Sequence, residues 1–282
     1  MMKFRPHAVA YLDILGFSSF VEEAETNHEK VGLLNRLFTE VIPRSISLGD
    51  HKGDHLKVKM DLKCLSFSDS IVVSAPVSSK VGHPALIAVS IKSIQIAHAL
   101  LDMGFLVRGA ISQGNVYRTK SNILGTGFQE AVKAEKNVRN PKIVLTKSAE
   151  RALDELVEKN SPKYTIYARD ELGQVILDSL YPEKSYLPDP KGEITEYFGR
   201  YQETILNNLS NDDQDVKEKW RWFAMLFEAN VKYFSDLRMK APSLSINEEL
   251  PVVTLNYLNP PGDGGGTGDE QERGIKSWPH IG

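Results

Sequence analysis

The spacing of apolar and polar positions predicts the first elements of the chain. A run of β-forming residues over 7–14 predicts a strand, and apolar residues at three- and four-residue spacing in "VGLLNRLFTEVI" predict a helical region that reaches about residue 48. The segment "LKVKMDLKCLSFSDSIVVSAP" predicts two strands, at about 55–67 and 70–75. Their spacing indicates a two-residue hairpin with Ser68 and Asp69 at its tip.

A second half-unit follows the hairpin. The dense apolar run over 85–104 predicts a buried helix, with Gly104 as its C-cap, and 105–117 predicts the next strand. The resulting order, β-α-β-β-α-β, is that of the ferredoxin-like unit. We therefore predict an α/β (α+β) fold with a ferredoxin-like core and additional C-terminal helices.

Later segments extend this core. We predict a helix over 125–138, strands at "PKIVLT" and "YTIYA" with a helix at 147–158 between them, and two C-terminal helices at about 193–209 and 215–237. The aromatic residues around Trp220, Trp222 and Phe223 indicate core or dimer packing rather than a base-stacking surface. The predicted divisions are a catalytic domain over 1–181, a helical extension over 182–258 and a flexible glycine-rich tail over 259–282.

Composition narrows the class of protein. With 41% hydrophobic and 25% charged residues in 282, the chain is globular, and it has no apolar run long enough to span a membrane. The net charge of −3 gives no general attraction for nucleic acid or a membrane surface. A single cysteine, Cys64, excludes an internal disulfide, and the N-terminus does not resemble a signal peptide. A cytoplasmic location is expected.

Two aspartates are the strongest candidates for chemistry. Asp13 ends the first strand and Asp69 lies at the hairpin tip, so the carboxylates come close together if those strands pair. Each residue alone also fits an ordinary strand-end charge or turn residue. Two neighbouring, half-buried carboxylates repel each other and favour a cation between them, and Mg²⁺ or Mn²⁺ combines such ligands with substrate phosphates. The helix that follows Leu15-Gly16-Phe17 offers free backbone N–H groups for a phosphate.

The motifs "YLDILGF", "FSDSIVV", "VRGAISQGNVY" and "GTGFQEAVKAEK" occur in an order that resembles the class III nucleotidyl cyclases, and most closely the pyrimidine (uridylate or cytidylate) cyclases of the Pycsar antiphage system. The resemblance covers about 7–140. It implies that Asp13, Asp69 and the carbonyl of Ile14 bind two divalent ions, Mn²⁺ or Mg²⁺, which orient the triphosphate and activate the ribose 3′-hydroxyl. It also implies a homodimer with active sites at the interface, and a cyclic product that activates a separate effector.

Other positions bear on which nucleotide is bound. Purine-specific relatives carry a lysine four residues before the hairpin aspartate, where this chain has Leu65, although Lys63 is close by. Leu65 cannot donate a hydrogen bond to a purine edge. By the resemblance, Arg108 lies at the base or nucleotide, and the alternative is an ion pair at a strand start. Two glycines follow Arg108 in "RGAISQG". Gly109 and Gly114 also fit a bulge or close packing.

The family's transition-state Asn and Arg have no obvious counterparts. Alignment from Gly125 puts Gln129 and Lys133 at those positions, with Lys136 as a substitute cation. Alignment two residues later gives Ala131 and Glu135, which would not serve, and both sets also fit ordinary helix residues. The seven histidines show no zinc-ligand pattern apart from the spacing of His51 and His55.

The resemblance implies conversion of UTP, or alternatively CTP, to its 3′,5′-cyclic monophosphate and pyrophosphate, with UTP slightly preferred. Two alternatives remain open. One is a purine cyclase that makes cyclic AMP or cyclic GMP. The other is a nucleotide-sensing or dimerisation module that keeps the fold without turnover.

Overall fold

The structure, a computed structural model, describes residues 3–47, 61–77, 84–158, 166–189, 191–235, 244 and 256–258. The strands are β1 Arg5–Ile14, β2 Lys63–Phe67, β3 Ser70–Pro76, β4 Val107–Arg118, β5 Ile123–Leu124, β6 Ile143–Leu145, β7 Tyr167–Arg169, β8 Val175–Leu177 and β9 Asn256–Tyr257. The helices are α1 Phe17–Ala24, α2 His28–Arg36, α3 Ile42–Ser47, α4 Ala85–Leu101, α5 Thr126–Glu135, α6 Lys147–Glu158, α7 Ile194–Leu209 and α8 Gln214–Ser235.

One mixed sheet organises these strands. Its order is β2-β3-β1-β4-β6-β8-β7-β9, with β5 paired to β4. The first four strands are antiparallel neighbours in the order β2-β3-β1-β4, and α1–α3 and α4 form the two crossovers. This is the predicted ferredoxin-like βαββαβ arrangement, and the fold class is confirmed. The part of β2 predicted over 55–60 lies outside the described residues.

The two faces of β1 have different coverings because successive side chains point to opposite sides. Ala8, Ala10, Leu12 and Ile14 belong to the main core, together with nearly the whole of α4, which packs against β1 and β3. The apolar density of α4 therefore reflects a helix buried almost all round. The opposite face, which includes Tyr11 and Asp13, is only partly covered.

Helix α5 lies on that second face, packed against β1 and β4. Its contact with β4 is a close approach of backbones: a Cβ added to Gly114 would be 2.8 Å from the Cα of Gly127. Ser112 Oγ also donates a 2.6 Å hydrogen bond to the Gly127 carbonyl. The open alternative for Gly114 is settled as close packing, and it fixes where α5 lies on the sheet.

The predicted helical region between β1 and residue 48 is interrupted. Helix α1 ends at Ala24, and Asn27 starts α2 by accepting hydrogen bonds from the backbone N–H groups of Glu29 and Lys30. A π-helical turn, Leu37–Val41, then joins α2 to α3. The region is helical to Ser47 as predicted, but it is divided at Asn27, which is a stronger helix start than a helix-interior residue.

The C-terminal helices pack against the rest of the chain through a second apolar cluster. Trp220, Trp222 and Phe223 of α8 are buried there beside residues of α7, which agrees with the packing expected for them. Three short strands, β5, β8 and β9, were not predicted. The domain boundary near residue 181 remains a prediction, and the proposed tail over 259–282 lies outside the described residues.

A buried polar network ties this C-terminal part to the sheet. Tyr257 Oη and Asn230 Nδ2 donate to the carboxylate of Asp178, at 2.9 and 2.8 Å. Burial raises the pKa of Asp178 to about 6, although these two donors oppose the shift. Strand β9 pairs with β7, so Tyr257 connects the last described segment to the sheet's far edge.

No helix within the described ranges has both the length and the hydropathy needed to cross a bilayer.

Candidate active site

The sheet register brings Asp13 and Asp69 together. Asp13 of β1 lies opposite Ser70 of β3, the residue that follows Asp69. The Ile14 N–H donates a 2.9 Å hydrogen bond to the Asp69 carbonyl, so the end of β1 and the hairpin tip are directly joined. The juxtaposition expected of an aspartate at the end of β1 and an aspartate at the tip of a neighbouring hairpin is therefore present.

The hairpin tip has an unfavourable backbone conformation. Ser68 has a φ of +55°, in the left-handed region that residues with a Cβ seldom adopt. A residue with positive φ at the first central position of a two-residue hairpin is normally glycine. The chain therefore accepts a strained serine immediately before Asp69, as is common beside functional groups.

Ser68→Gly is expected to raise the free energy of unfolding by about 1 kcal/mol, because glycine adopts the left-handed conformation without a Cβ clash. Denaturant unfolding monitored by circular dichroism would measure the change. Thr119→Gly, at a loop residue whose backbone is not left-handed, provides the comparison and should not stabilise the protein. A loss of stability in Ser68→Gly would contradict the interpretation.

A chain of hydroxyl groups leads to Asp69 across the sheet face. Tyr11 Oη lies 2.7 Å from Ser70 Oγ, and Ser70 Oγ donates to Asp69 Oδ1 at 3.4 Å. If Tyr11 is the donor to Ser70, the serine hydroxyl keeps its own proton for Asp69. The sequence analysis did not identify Tyr11 or Ser70, although period-two alternation places Tyr11 on the face of Asp13.

Arg108 lies between two carboxylates. It is the register partner of Asp13 on β4, and its Nε donates to Asp13 Oδ2 at 3.0 Å. The same Nε is 2.6 Å from Oε1 of Glu135, at the C-terminal end of α5. Arg108 thus forms the ion pair considered as its alternative, but with partly and fully buried partners rather than at the surface.

The environment of Asp13 favours its protonated form. Burial raises the pKa of Asp13 to about 6; the charges of Glu135 and Asp69 act in the same direction, and Arg108 opposes them. The folded state binds this proton more tightly than the unfolded chain does. The stability that protonated Asp13 contributes is therefore lost as pH rises from about 4 to about 6. A bound divalent cation would favour the ionised form instead.

Mn²⁺ binding should weaken as pH falls through about 6, by up to about tenfold per pH unit, because a proton competes for the Asp13 carboxylate. Calorimetric titration of the full chain with MnCl₂ between about pH 8 and about pH 5 would test this. Asp13→Asn should show no such pH dependence. Equal affinity across the range would contradict the role given to Asp13.

The predicted phosphate-binding turn lies beside the two aspartates. Gly16 caps α1 with a φ of +75°, a conformation that suits glycine. The side chain of Phe17 is buried in the main core and that of Leu15 packs against the second cluster, so these residues have only backbone groups to offer a ligand. The first N–H groups of α1 have no helical acceptor and remain available to an anion.

Leu65 lies on the same sheet face as Asp13. It is opposite Val72 of β3, which is in turn opposite Tyr11. Leu65 therefore presents an apolar, donor-free side chain to this face. Lys63 lies two residues further along β2, opposite Ser74, with its Nζ 4.0 Å from Asp61.

Helix α5 turns different residues toward the site from those expected. Gln129 and Lys133 are exposed, and the buried face of the helix consists of Gly127, Ala131 and Glu135. Within this single chain, Glu135 is the helix residue that reaches Asp13 and Arg108. The roles assigned to Gln129 and Lys133 remain predictions, and the four-residue spacing of Gly127, Ala131 and Glu135 was the signal that could have identified Glu135.

The carboxylate oxygens of the two aspartates suit a hard divalent cation, but only together with oxygen atoms of a bound substrate. Asp13 and Asp69 would supply the oxygen ligands, and Asp69 lies close enough for its charge to help raise the pKa of Asp13. Among the described residues no group of three metal-ligating side chains is close enough to hold an ion. Mg²⁺ or Mn²⁺ is commonly bound by one or two carboxylates together with substrate phosphates and water, so phosphate oxygens would have to complete such a site.

Comparisons with known proteins concern the fold. Neither a protein-family model nor a curated protein matches the sequence. The fold is similar to that of several solved structures. One is a bacterial light-regulated adenylyl cyclase, with 16% sequence identity over 64% of this chain and 53% of that chain and a TM-score of 0.43. Another is an adenylate/guanylate cyclase/hydrolase from Silicibacter pomeroyi, with 14% identity over 63% of this chain and 96% of that chain and a TM-score of 0.41. A class III adenylyl cyclase-like ATP-binding protein from Pseudomonas aeruginosa is also similar (15%, 78% and 43%, TM-score 0.40). TM-scores this low transfer no function.

Proposed function

We propose that this chain is a metal-dependent nucleotidyl cyclase of the class III type, acting on a pyrimidine nucleoside triphosphate. One observation carries the proposal: Asp13 and Asp69 meet at the end of β1, next to the N-terminus of α1. Paired carboxylates beside free backbone N–H groups match the two parts of a metal–triphosphate complex. The product would be the 3′,5′-cyclic monophosphate.

The reaction needs positioning and charge stabilisation rather than a covalent enzyme intermediate. The ribose 3′-hydroxyl gives up its proton to water as its oxygen attacks the α-phosphorus, the bond from that phosphorus to the bridging oxygen breaks, and pyrophosphate leaves. Two divalent ions, bound by Asp13, Asp69 and the Ile14 carbonyl, would supply charge to both the attacking and the leaving oxygens. The chain's own contribution is to orient these ligands, through the β1–β3 register, and to present the N-terminus of α1 to the phosphates.

The preference for a pyrimidine rests on two side chains. Leu65 offers no hydrogen bond to a purine edge, and Arg108 retains N–H donors beyond the one given to Asp13. A planar guanidinium is suited to a carbonyl or phosphate oxygen of the nucleotide. We take UTP as the slightly preferred substrate, with CTP as the alternative.

The proposal extends to assembly and role. A homodimer with active sites at the interface would supply groups that one chain does not bring to Asp13, including Gln129 and Lys133. The exposed Phe67 at the edge of the sheet is available for such a contact. The resemblance in sequence further suggests a cytoplasmic enzyme of bacterial antiphage defence, whose cyclic product activates a separate effector. Nucleic acid and membrane are not expected partners.

The test is incubation of the full chain with each of the four NTPs and Mn²⁺, comparing wild type with Asp13→Ala by chromatography of the products. A cyclic product from UTP or CTP, formed by the wild type alone, is the expected result. A purine product would overturn the pyrimidine assignment.

A second candidate function is a nucleotide-sensing module without turnover. It is favoured by one observation, the guanidinium of Arg108 bound to Asp13 where a cation would otherwise lie. Under this alternative the wild type binds a nucleotide, measured by calorimetry, but forms no cyclic product from any NTP. In cells, Asp69→Ala would then leave the protein's activity unchanged.

A further inference from the structure

Glu135 has an environment that packing alone does not explain. Its side chain is 5% exposed, and its Oε1 has no hydrogen-bond partner although Arg108 Nε is only 2.6 Å away. The reason is that Nε carries one proton, and that proton is donated to Asp13. A buried carboxylate oxygen without a hydrogen bond is costly and calls for a functional explanation.

Arg108 is therefore shared unequally by two acids. Its Nε–H is bonded to Asp13, its Nη1 donates weakly to the Val138 carbonyl at 3.5 Å, and Glu135 receives charge attraction without a hydrogen bond. The two carboxylates approach the guanidinium from different elements, Asp13 from β1 and Glu135 from α5. A small movement of the Arg108 side chain would transfer the hydrogen bond from Asp13 to Glu135.

The position of Glu135 is fixed by the fold. Helix α5 is set on β4 by the contact of Gly114 with Gly127, and Glu135 follows Gly127 by two helical turns on the same face. The position of Glu135 is thus held by the helix, whereas Arg108, with a 30% exposed side chain, has more room to change its conformation.

We propose that Glu135 is a positioning residue that controls metal binding at Asp13, by accepting the Arg108 Nε–H when a divalent cation takes its place. This inference rests on the proposed metal site and adds the residue that opens it. Without a cation, Arg108 neutralises Asp13. When Mn²⁺ or Mg²⁺ binds, the guanidinium moves to Glu135, whose Oε1 gains the hydrogen bond that it lacks.

The experiment measures binding of Mn²⁺ alone to the full chain, by calorimetry or by the electron paramagnetic resonance signal of free Mn²⁺. Glu135→Gln is expected to weaken binding about tenfold, as is common when a residue that orients a metal ligand is changed. Arg108→Gln removes the competing cation and should strengthen binding. Glu130→Gln removes a charge from the same helix at a residue bonded to Ser148 and should have no effect.

A double variant of Arg108 and Glu135 distinguishes the positioning role of Glu135 from a general effect of its negative charge on metal binding. In the Arg108→Gln background, Glu135→Gln should change Mn²⁺ affinity by less than about twofold, because no guanidinium remains to donate a hydrogen bond to Glu135. If Glu135 acted only through its charge, the loss in that background would be at least as large as in the wild type. That result would overturn the proposal.

A conservative variant gives an independent test if a double variant fails to fold. Glu135→Asp keeps the charge but withdraws it by one methylene from Arg108 Nε, so binding should weaken nearly as much as in Glu135→Gln. Unchanged binding would overturn the positioning role while leaving the proposed function intact. Failure of the wild type to bind Mn²⁺ would instead remove the metal site, and both proposals with it.

Discussion

Asp13→Asn and Asp69→Asn should each lower the rate of cyclic product formation by about 10³-fold or more. An amide is a neutral and weaker ligand, so it would bind less well the divalent ions that, in the proposed mechanism, stabilise the attacking and leaving oxygens. The comparison should be made at saturating nucleotide and Mn²⁺, with initial rates measured by chromatography. A rate that differs from the wild type by only a few fold would remove the carboxylates from the mechanism.

Folding should survive both substitutions, which makes the activity loss interpretable. Asn at position 13 still offers an oxygen to the Nε–H of Arg108, and it removes a charge whose burial is unfavourable. The melting temperature is therefore expected to stay the same or rise. Asp102→Asn serves as the matched control, because Asp102 pairs with Arg200 on the surface, at 2.8 Å, and its loss should leave the rate unchanged.

Gly125→Ala is expected to lower the free energy of unfolding by about 3 kcal/mol or more. Gly125 precedes α5 with a φ of +137°, and an added Cβ would overlap the backbone carbonyl of Asn115. Both strain and overlap must be relieved by moving α5 away from β4. Urea unfolding of the purified variant would measure the loss.

Gly199→Ala provides the control for that experiment. Gly199 lies within α7, and nothing lies within 4 Å of the position its Cβ would occupy. Alanine there should stabilise the protein by about 0.5–1 kcal/mol through helix propensity. A Gly125→Ala variant as stable as the wild type would show that the contact of Gly125 with Asn115 does not fix the position of α5. The position of Glu135 beside Arg108 would then need another explanation.

The meeting of Asp13 with Asp69 could be predicted from the order of the elements and one local signal. The two-residue connection at Ser68 and Asp69 places Asp69 at the tip of the β2–β3 hairpin, and the βαββαβ order makes β1 the neighbour of β3. The end of β1 therefore lies beside the hairpin tip, and the two carboxylates come together although they are far apart in sequence.

Glu135 was missed because helix orientation depends on tertiary contacts. Alignment from Gly125 placed Gln129 and Lys133 at the site, whereas the close approach of Gly114 to Gly127 turns Ala131 and Glu135 toward the sheet. That approach is invisible in one sequence, since a glycine has no side chain by which a pattern could reveal its neighbour. Ala131 and Glu135 were expected at the site only in the alternative alignment, two residues later, which suited the chemistry less well.

Short strands were missed for a different reason. Strands β5, β8 and β9 contain two, three and two residues, too few for a period of two to be recognised. Strand β9 exists through pairing with β7 and the hydrogen bond of Tyr257 to Asp178. The break at Asn27 was, in contrast, readable, since Asn followed closely by Glu29 is a typical helix start.

Strand β9 has a consequence for synthesis on the ribosome. The far edge of the sheet is completed by Tyr257, which also stacks on Tyr233 with ring centroids 4.0 Å apart. The ferredoxin-like unit is translated far earlier, so the nascent chain can form the pair of aspartates while Asp178 still lacks its phenol partner. The half of the sheet that contains Asp13 and Asp69 should therefore become protected from proteolysis before the other half does.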